Sequence, residues 1–222
     1  MRLALFDLDS TLIPGDSDHA FGEWIVALGW AERDDFQRRN DAFYADYKAG
    51  RLDIAAYIEF ATRSWRDRDA ELVNEAVQRF LDQAIAPMIQ PVALDLVRQH
   101  QQAGDICLLV TATMERITRP IAGLFGIPHL IATELERDPS GRVTGNILGV
   151  PSFREGKVVR VQQWLAERGS SLEGLEQSTF YSDSTNDLAL LERVSHPVAT
   201  NPSPALERLA QQRNWPVLKL FT

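Results

Sequence analysis

Arg2-Leu3-Ala4-Leu5-Phe6-Asp7-Leu8-Asp9-Ser10-Thr11-Leu12 decides how the rest of the chain is read. Leu3 to Phe6 is a short apolar run, the pattern of a buried strand. It ends in two carboxylates one residue apart, Asp7 and Asp9, followed by the hydroxyls of Ser10 and Thr11. Alternate side chains of an extended chain share a face. At a strand end the chain turns, so the two acids can divide the work: one as nucleophile or metal ligand, the other as proton carrier. In open α/β sheets, ligands bind just outside the carboxyl ends of the strands. Taken alone, the stretch reads equally as a solvated turn in which Asp9 or Ser10 caps a helix. What lies downstream decides between the two.

After the turn-rich Ile13-Pro14-Gly15-Asp16-Ser17-Asp18, helical patterning runs from about His19 to about Ala86. Phe21, Trp24, Ile25 and Leu28 share one face of a helix. Phe36, Phe43, Tyr44 and Tyr47 belong to a second, and Asp53 caps a third carrying Ile54, Tyr57, Ile58 and Ala61. Leu72, Val73, Ala76, Val77, Phe80 and Leu81 mark a fourth. No strand-like alternation interrupts them, which predicts a small helical bundle inserted at residues 15–86. Residues 1–14 and 87–222 then form the main domain. There, Ile106 to Val110 is a continuous apolar run ending in Thr111-Ala112-Thr113, the signature of a parallel strand covered on both faces. Further short strands are expected at 129–132, 177–181, 197–200 and 217–220, with a hairpin across 135–148. Helices are expected at 92–102, 115–125, 154–168, 187–193 and 204–213. Strands alternating with helices imply right-handed parallel crossovers and a doubly wound, Rossmann-like sheet.

Three strand-end or helix-start positions carry polar groups that belong with Asp7 and Asp9. Leu109-Val110-Thr111 is an apolar strand ending in a hydroxyl. Gly156-Lys157 opens a helix. Tyr181-Ser182-Asp183-Ser184-Thr185-Asn186-Asp187 places paired acids, with an Asn between them, after a strand. Each has an ordinary reading: a helix-capping Thr, a solvated Lys, an acidic helix N-terminus. Their order and placement resemble the four motifs of the haloacid dehalogenase superfamily, in its phosphoserine-phosphatase-like branch. The resemblance covers essentially the whole chain, and the helical insert occupies the position of that superfamily's C1 cap.

The resemblance implies a phosphomonoesterase working through an aspartyl-phosphate. Asp7 would attack phosphorus, while Asp9 would protonate the leaving oxygen and later activate water. Mg²⁺ would be held by Asp7, the carbonyl of Asp9 and Asp183, with Asp187 acting through water or by orienting its neighbours. Thr111, Lys157 and Asn186 would hold phosphate oxygens. In phosphoserine phosphatases an acidic cap residue nine positions after the nucleophile reads the substrate's amino group. Asp16 takes that position, though it serves equally as a linker residue in a turn. The cap arginine that reads the serine carboxylate is matched here by Ala61, with Arg51 and Arg63 nearby. This departure favours an amino-alcohol phosphate such as histidinol phosphate over phosphoserine. His19, with Trp24, Phe43, Tyr44 and Trp65, offers a flat pocket for a ring, although core packing accounts for most cap aromatics. A phosphotransferase or phosphomutase reusing the same intermediate stands as an alternative. A non-catalytic phospho-ligand binder is disfavoured because no motif acid and no motif lysine is missing.

Composition fits this reading. The chain has 222 residues, 45% hydrophobic and 24% charged, with net charge −8. Acidity disfavours nucleic acid and anionic membranes as partners but not a phosphorylated metabolite, since a local field can differ from the net charge. No His or Cys cluster offers a zinc site, and the lone Cys107 lies in an apolar run, as a core thiol does. The N-terminus enters a strand directly, and no apolar run has the length of a membrane span. A cytoplasmic location is therefore expected. The sequence leaves the oligomeric state open.

Overall fold

The computed structural model describes residues 1–221. A six-stranded sheet runs β3-β2-β1-β6-β7-β8, built from β1 (Arg2–Phe6), β2 (Ile106–Met114), β3 (His129–Thr133), β6 (Gln177–Ser182), β7 (His196–Thr200) and β8 (Val217–Leu218). All five pairings are parallel. β1 lies at the centre and the order departs from it in both directions, so the sheet is doubly wound. β4 (Leu135–Arg137) and β5 (Val143–Ile147) form a separate antiparallel hairpin.

The apolar runs are continuous because the central strands are covered twice. Ala4 and Phe6 of β1 pack into one core with Cys107 and Leu109 of β2. Leu3 and Leu5 pack into another with Leu108, Val110 and Phe180. The two-residue period of a strand sorts alternate side chains to the two faces. The first core is closed by α5 (Pro91–Gln102), α6 (Glu115–Leu124) and the inserted helices, the second by α7 (Glu155–Ala166), α8 (Leu188–Leu191) and α9 (Pro204–Gln212). Each fully buried Leu or Phe contributes about 1.5–3 kcal/mol. Cys107 is buried, as a core thiol should be.

Between β1 and β2 lie α1 (Ser17–Ala27), α2 (Arg33–Lys48), α3 (Ile54–Thr62) and α4 (Ala70–Phe80), followed by a π-turn over Leu81–Ile85. Asp16, Glu32, Asp53 and Asp69 cap them, each side chain accepting from two backbone N–H groups. Phe21 meets Phe80 edge-on at 5.2 Å, and Phe36 stacks on Phe60 at 4.6 Å. Gly22 permits the α1–α2 crossing, since a Cβ there would lie 2.6 Å from the Asn40 amide.

Three elements differ from the sequence expectation. The last strand, expected at 217–220, covers only Val217–Leu218. β2 does not stop before Thr111 but continues to Met114, after a register break between Val110 and Met114. The helix expected at 187–193 shrinks to Leu188–Leu191 behind a 3₁₀ turn over Thr185–Asp187. No single helix among the described residues is long and apolar enough to cross a membrane.

Candidate active site

The site forms where β1 ends. The Asp7 N–H still donates to Tyr181 O at 2.9 Å, so Asp7 is held in line with the sheet. Beyond it, the N–H groups of Thr11, Leu12 and Ile13 all converge on Leu8 O. That tight turn places Ser10 at φ 58°, a strained backbone for a residue with a Cβ. Asn201 clamps the turn from β7: its amide donates to the carbonyls of Ser10 at 2.9 Å and Thr11 at 3.2 Å, and its Oδ1 accepts from Leu220 and Phe221 N–H.

Lys157 arrives from the first turn of α7, only 1% exposed. Its ammonium donates to Asp7 Oδ1 at 2.9 Å and to Asp187 Oδ2 at 2.8 Å. Burial would strip its proton, but Asp187 and then Asp7 outweigh that, and the lysine pKa rises. Gly156 makes the approach possible, since a Cβ there would sit 2.1 Å from Pro151 O. Asp187 also accepts from Ser182 Oγ at 2.8 Å, so its carboxylate serves the lysine and the β6 end.

Asp9 points the other way. Its Oδ1 accepts from Ser17 N–H at 2.6 Å, at the N-terminus of α1, and its Oδ2 from Thr113 Oγ at 2.9 Å. Thr111 lies two residues back on the same side of β2, and its Oγ accepts from Thr113 N–H at 3.2 Å. Desolvation pushes Asp7 up to about 7, with Lys157 opposing and Asp187 reinforcing the shift. Asp9 also rises to about 7, through burial first and the Asp16 charge second. Asp183 is raised by burial and then by Asp7 and Asp187, which places it within the same field. Asn186 spends its amide on Tyr47 O at 3.0 Å, tying the site to the end of α2.

The groups that share this field are carboxylates, those of Asp7, Asp183 and Asp187, so the ligand atoms on offer are oxygens. Such a set suits a hard divalent ion. Among the described residues, no three His, Cys, Asp or Glu side chains gather as a ready-made cage. A cation here would complete its shell with carbonyl, water or substrate oxygens, as Mg²⁺ commonly does. Burial is the first cause of the raised carboxyl groups of Asp7, Asp9 and Asp183, and neighbouring carboxylates add to it.

Outside the acids, a cavity opens between the sheet and the inserted helices. Asp7, Asp9, Thr111 and Thr113 line it from the sheet, and Asp16, Asp18, His19, Tyr44 and Tyr57 from the inserted segment. Asp16 both caps α1, accepting from Asp18 and His19 N–H, and faces the cavity. His19 leans on Tyr44 at 4.8 Å while its Nε2 pairs with Asp41 at 2.8 Å. Of the aromatics expected here, Phe43 and Tyr44 line the cavity, whereas Trp24 and Trp65 do not. Trp65 is buried in the core, and Trp24 donates to Ala76 O beside Phe80. Tyr47 and Tyr57 take their place.

Sequence reasoning missed Thr113, Ser182, Asn201, Asp18 and Tyr57. Only Thr113 carried a local signal, since it follows Thr111 by one strand period. The others depend on which loops meet in space.

A family model described as haloacid dehalogenase-like hydrolase matches residues 4–192. A histidinol-phosphatase of Neisseria meningitidis serogroup C is 45% identical over 217 residues, spanning 98% of each chain. A crystal structure of a protein with unknown function from Bordetella pertussis Tohama I superposes with TM-score 0.93 at 47% identity over 99% of each chain. A phospho-aspartyl intermediate analogue of phosphoserine phosphatase aligns with TM-score 0.68 at 17% identity, covering 99% of this chain and 93% of that one, a likeness of fold.

Proposed function

The chain belongs to the haloacid dehalogenase-like hydrolase family and is a phosphatase, and from that premise we propose that it hydrolyses an amino-alcohol phosphate, best represented by histidinol phosphate. The observation that carries this reading is the cavity lining: four carboxylates, aromatic rings and one histidine, with no lysine or arginine. A substrate leaving group with an ammonium suits that wall better than one bearing a carboxylate, for which no lysine or arginine lines the cavity. Ala61 is buried in α3 where an arginine would be needed. Arg51 is exposed and pairs with Asp46, and Arg63 is exposed at the end of α3. The 45% identity to a histidinol-phosphatase points the same way.

In the proposed reaction an Asp7 oxygen attacks phosphorus, and the bond to the substrate's alkoxide breaks. Asp9 gives its proton to that leaving oxygen. Its carboxyl, raised to about 7, can hold the proton until then. Asp9 then takes a proton from water, which attacks the aspartyl-phosphate, releases inorganic phosphate and restores Asp7. Lys157 holds Asp7 in line and balances charge as phosphate enters. Thr111 faces the same end of the cavity and offers its hydroxyl to a phosphate oxygen. Asp187 orients Lys157, and Asn186 braces the site against α2. Asp7 and Asp183, with the Asp9 carbonyl, would hold Mg²⁺, which supplies positive charge beside the transferring phosphoryl group. Asp16 would read the amine, with His19 beside it.

Phosphate release with MgCl₂ should be measured on L-histidinol phosphate, L-phosphoserine and a sugar phosphate. The expected order places histidinol phosphate well ahead, with Asp7→Asn inactive but folded. Preference for phosphoserine would overturn the substrate assignment, and wild-type-like turnover by Asp7→Asn would overturn the covalent route.

A further inference from the structure

A second cleft, of about 360 Å³, opens where the inserted helices meet the main domain beside the β4–β5 hairpin. Five arginines line it: Arg66, Arg68, Arg116, Arg137 and Arg142. No aspartate or glutamate lines it, in a chain of net charge −8. None of its residues lines the active-site cavity. Arg66 and Arg68 come from the segment between α3 and α4, Arg116 from the first turn of α6, Arg137 from the end of β4 and Arg142 from the hairpin turn. The arginines therefore converge from both sides of the boundary between insert and main domain.

Two of the five have acidic partners: Arg66 pairs with Glu59, and Arg142 with Asp138 at 3.4 Å. The other three bond only to neutral groups among the described residues. Arg116 donates to Asn74 Oδ1 at 2.8 Å, Arg137 to Gly141 O at 2.9 Å and Arg68 to Ser64 O at 2.9 Å. Rings hold two of them in place, since the Arg68 guanidinium lies 4.5 Å over Trp30 and that of Arg116 5.7 Å from Trp65. A guanidinium fixed in this way loses little further freedom when it meets an anion. Burial, and then the Arg137 charge, hold Arg116 below its ordinary range. The adjoining cleft that shares Arg116 and Arg137 also carries Glu115, Glu134 and Glu136, so the purely cationic lining is confined to the junction.

We propose that this junction binds a phosphate-bearing anion, either inorganic polyphosphate or the phosphate chain of a nucleotide, held jointly by Arg68 of the insert and Arg137 of the hairpin. Planar guanidinium forks match phosphate oxygens, and several converging on one group form charge-assisted bonds. An anion gripped from both sides ties the inserted helices to the main domain at a point separate from the catalytic centre.

The test titrates sodium tripolyphosphate into the EDTA-treated protein by calorimetry. Saturable binding with a Kd below about 1 mM is expected, and it should weaken as NaCl is raised. Arg68→Gln and Arg137→Gln should each weaken it by about tenfold. Arg119→Gln, an exposed arginine of α6 outside the cleft, should bind as the wild type does. Both cleft variants should keep turnover of p-nitrophenyl phosphate without added tripolyphosphate, since neither residue reaches the reacting centre. Arg68→Lys, which keeps the charge but loses the fork, carries the insert side if Arg68→Gln does not fold. ATP separates the two sources: affinity no greater than that of tripolyphosphate assigns the site to the phosphate chain alone, and tighter binding assigns it to a nucleotide. Absence of saturable binding overturns the proposal, as does a Kd that neither cleft variant changes, the result expected if the anion sits at the catalytic centre. A loss in one cleft variant alone overturns the joint grip.

Discussion

Thr113 donates its hydroxyl to Oδ2 of Asp9 at 2.9 Å, although the two residues lie 104 positions apart. The bond favours the ionised carboxyl and partly offsets the burial that raises Asp9. Hydrogen bonds to charged groups contribute about 1.5–3 kcal/mol, so Thr113→Val should lower kcat by about 10- to 100-fold. Losing this donor raises the Asp9 pKa further. The acid form then persists to higher pH, and the alkaline limb of the kcat profile should move upward. Thr113→Ser should restore both rate and limb. A profile that does not move in the Val variant would show that Thr113 serves packing alone.

Lys157 joins two buried acids, Asp7 and Asp187, that have no other ion-pair partner among the described residues. Removing one partner of a buried ionic group costs about 3–5 kcal/mol, because the remaining charge stays desolvated. Lys157→Met should therefore lower unfolding free energy in urea by that order at pH 7, as well as abolish turnover. Adding Asp187→Leu removes one of the orphaned acids, so the double variant should regain part of the stability without regaining activity. Strict additivity of the two losses would mean that Lys157 and Asp187 are not energetically linked.

The sheet was legible because its central strands are apolar on both faces, a run that period-2 sorting turns into two cores at Leu3, Ala4, Leu5 and Phe6. The inner site was legible because Asp7, Lys157 and Asp183 each sit at a strand end or helix start, and Thr111 closes the apolar run of β2. The outer site was not. Trp24 carries the same helical periodicity as Phe43 and Tyr44, and no local rule says which face meets the core and which the cavity; Trp65 lies in the turn after α3, where no periodicity guides the reading. Asn201 reads as an ordinary turn residue, yet it holds the Ser10–Thr11 backbone across the sheet end.

Gly156 tests how tightly the lysine's position is set. Its absent Cβ would lie 2.1 Å from Pro151 O, a backbone atom that cannot rotate away. Gly156→Ala must push α7 outward, and steric insertion of this kind costs about 1–3 kcal/mol. The thermal midpoint should fall, and kcat should drop more than KM rises, because Lys157 shifts from Asp7. Val159→Ala, on the exposed face of the same helix, should leave both nearly unchanged. Full activity in Gly156→Ala would mean that the Pro151 turn yields without moving the lysine.

Asp7 and Asp9 make stability depend on pH and on a divalent ion together. Both are pushed up to about 7 by burial, whereas in the unfolded chain a carboxyl titrates near 3.9. Between about pH 4 and pH 7 the folded protein keeps protons that the unfolded chain releases, so stability declines as pH rises through that window. A cation bound at these carboxylates acts in the opposite sense, because it favours the ionised forms. EDTA-treated protein should therefore melt at a lower temperature at pH 7.5 than at pH 5. MgCl₂ should raise the midpoint strongly at pH 7.5 and weakly at pH 5. In Asp7→Asn, both the decline with pH and the rise with Mg²⁺ should shrink. An equal Mg²⁺ shift at the two pH values would mean that the ion binds away from these carboxyl groups.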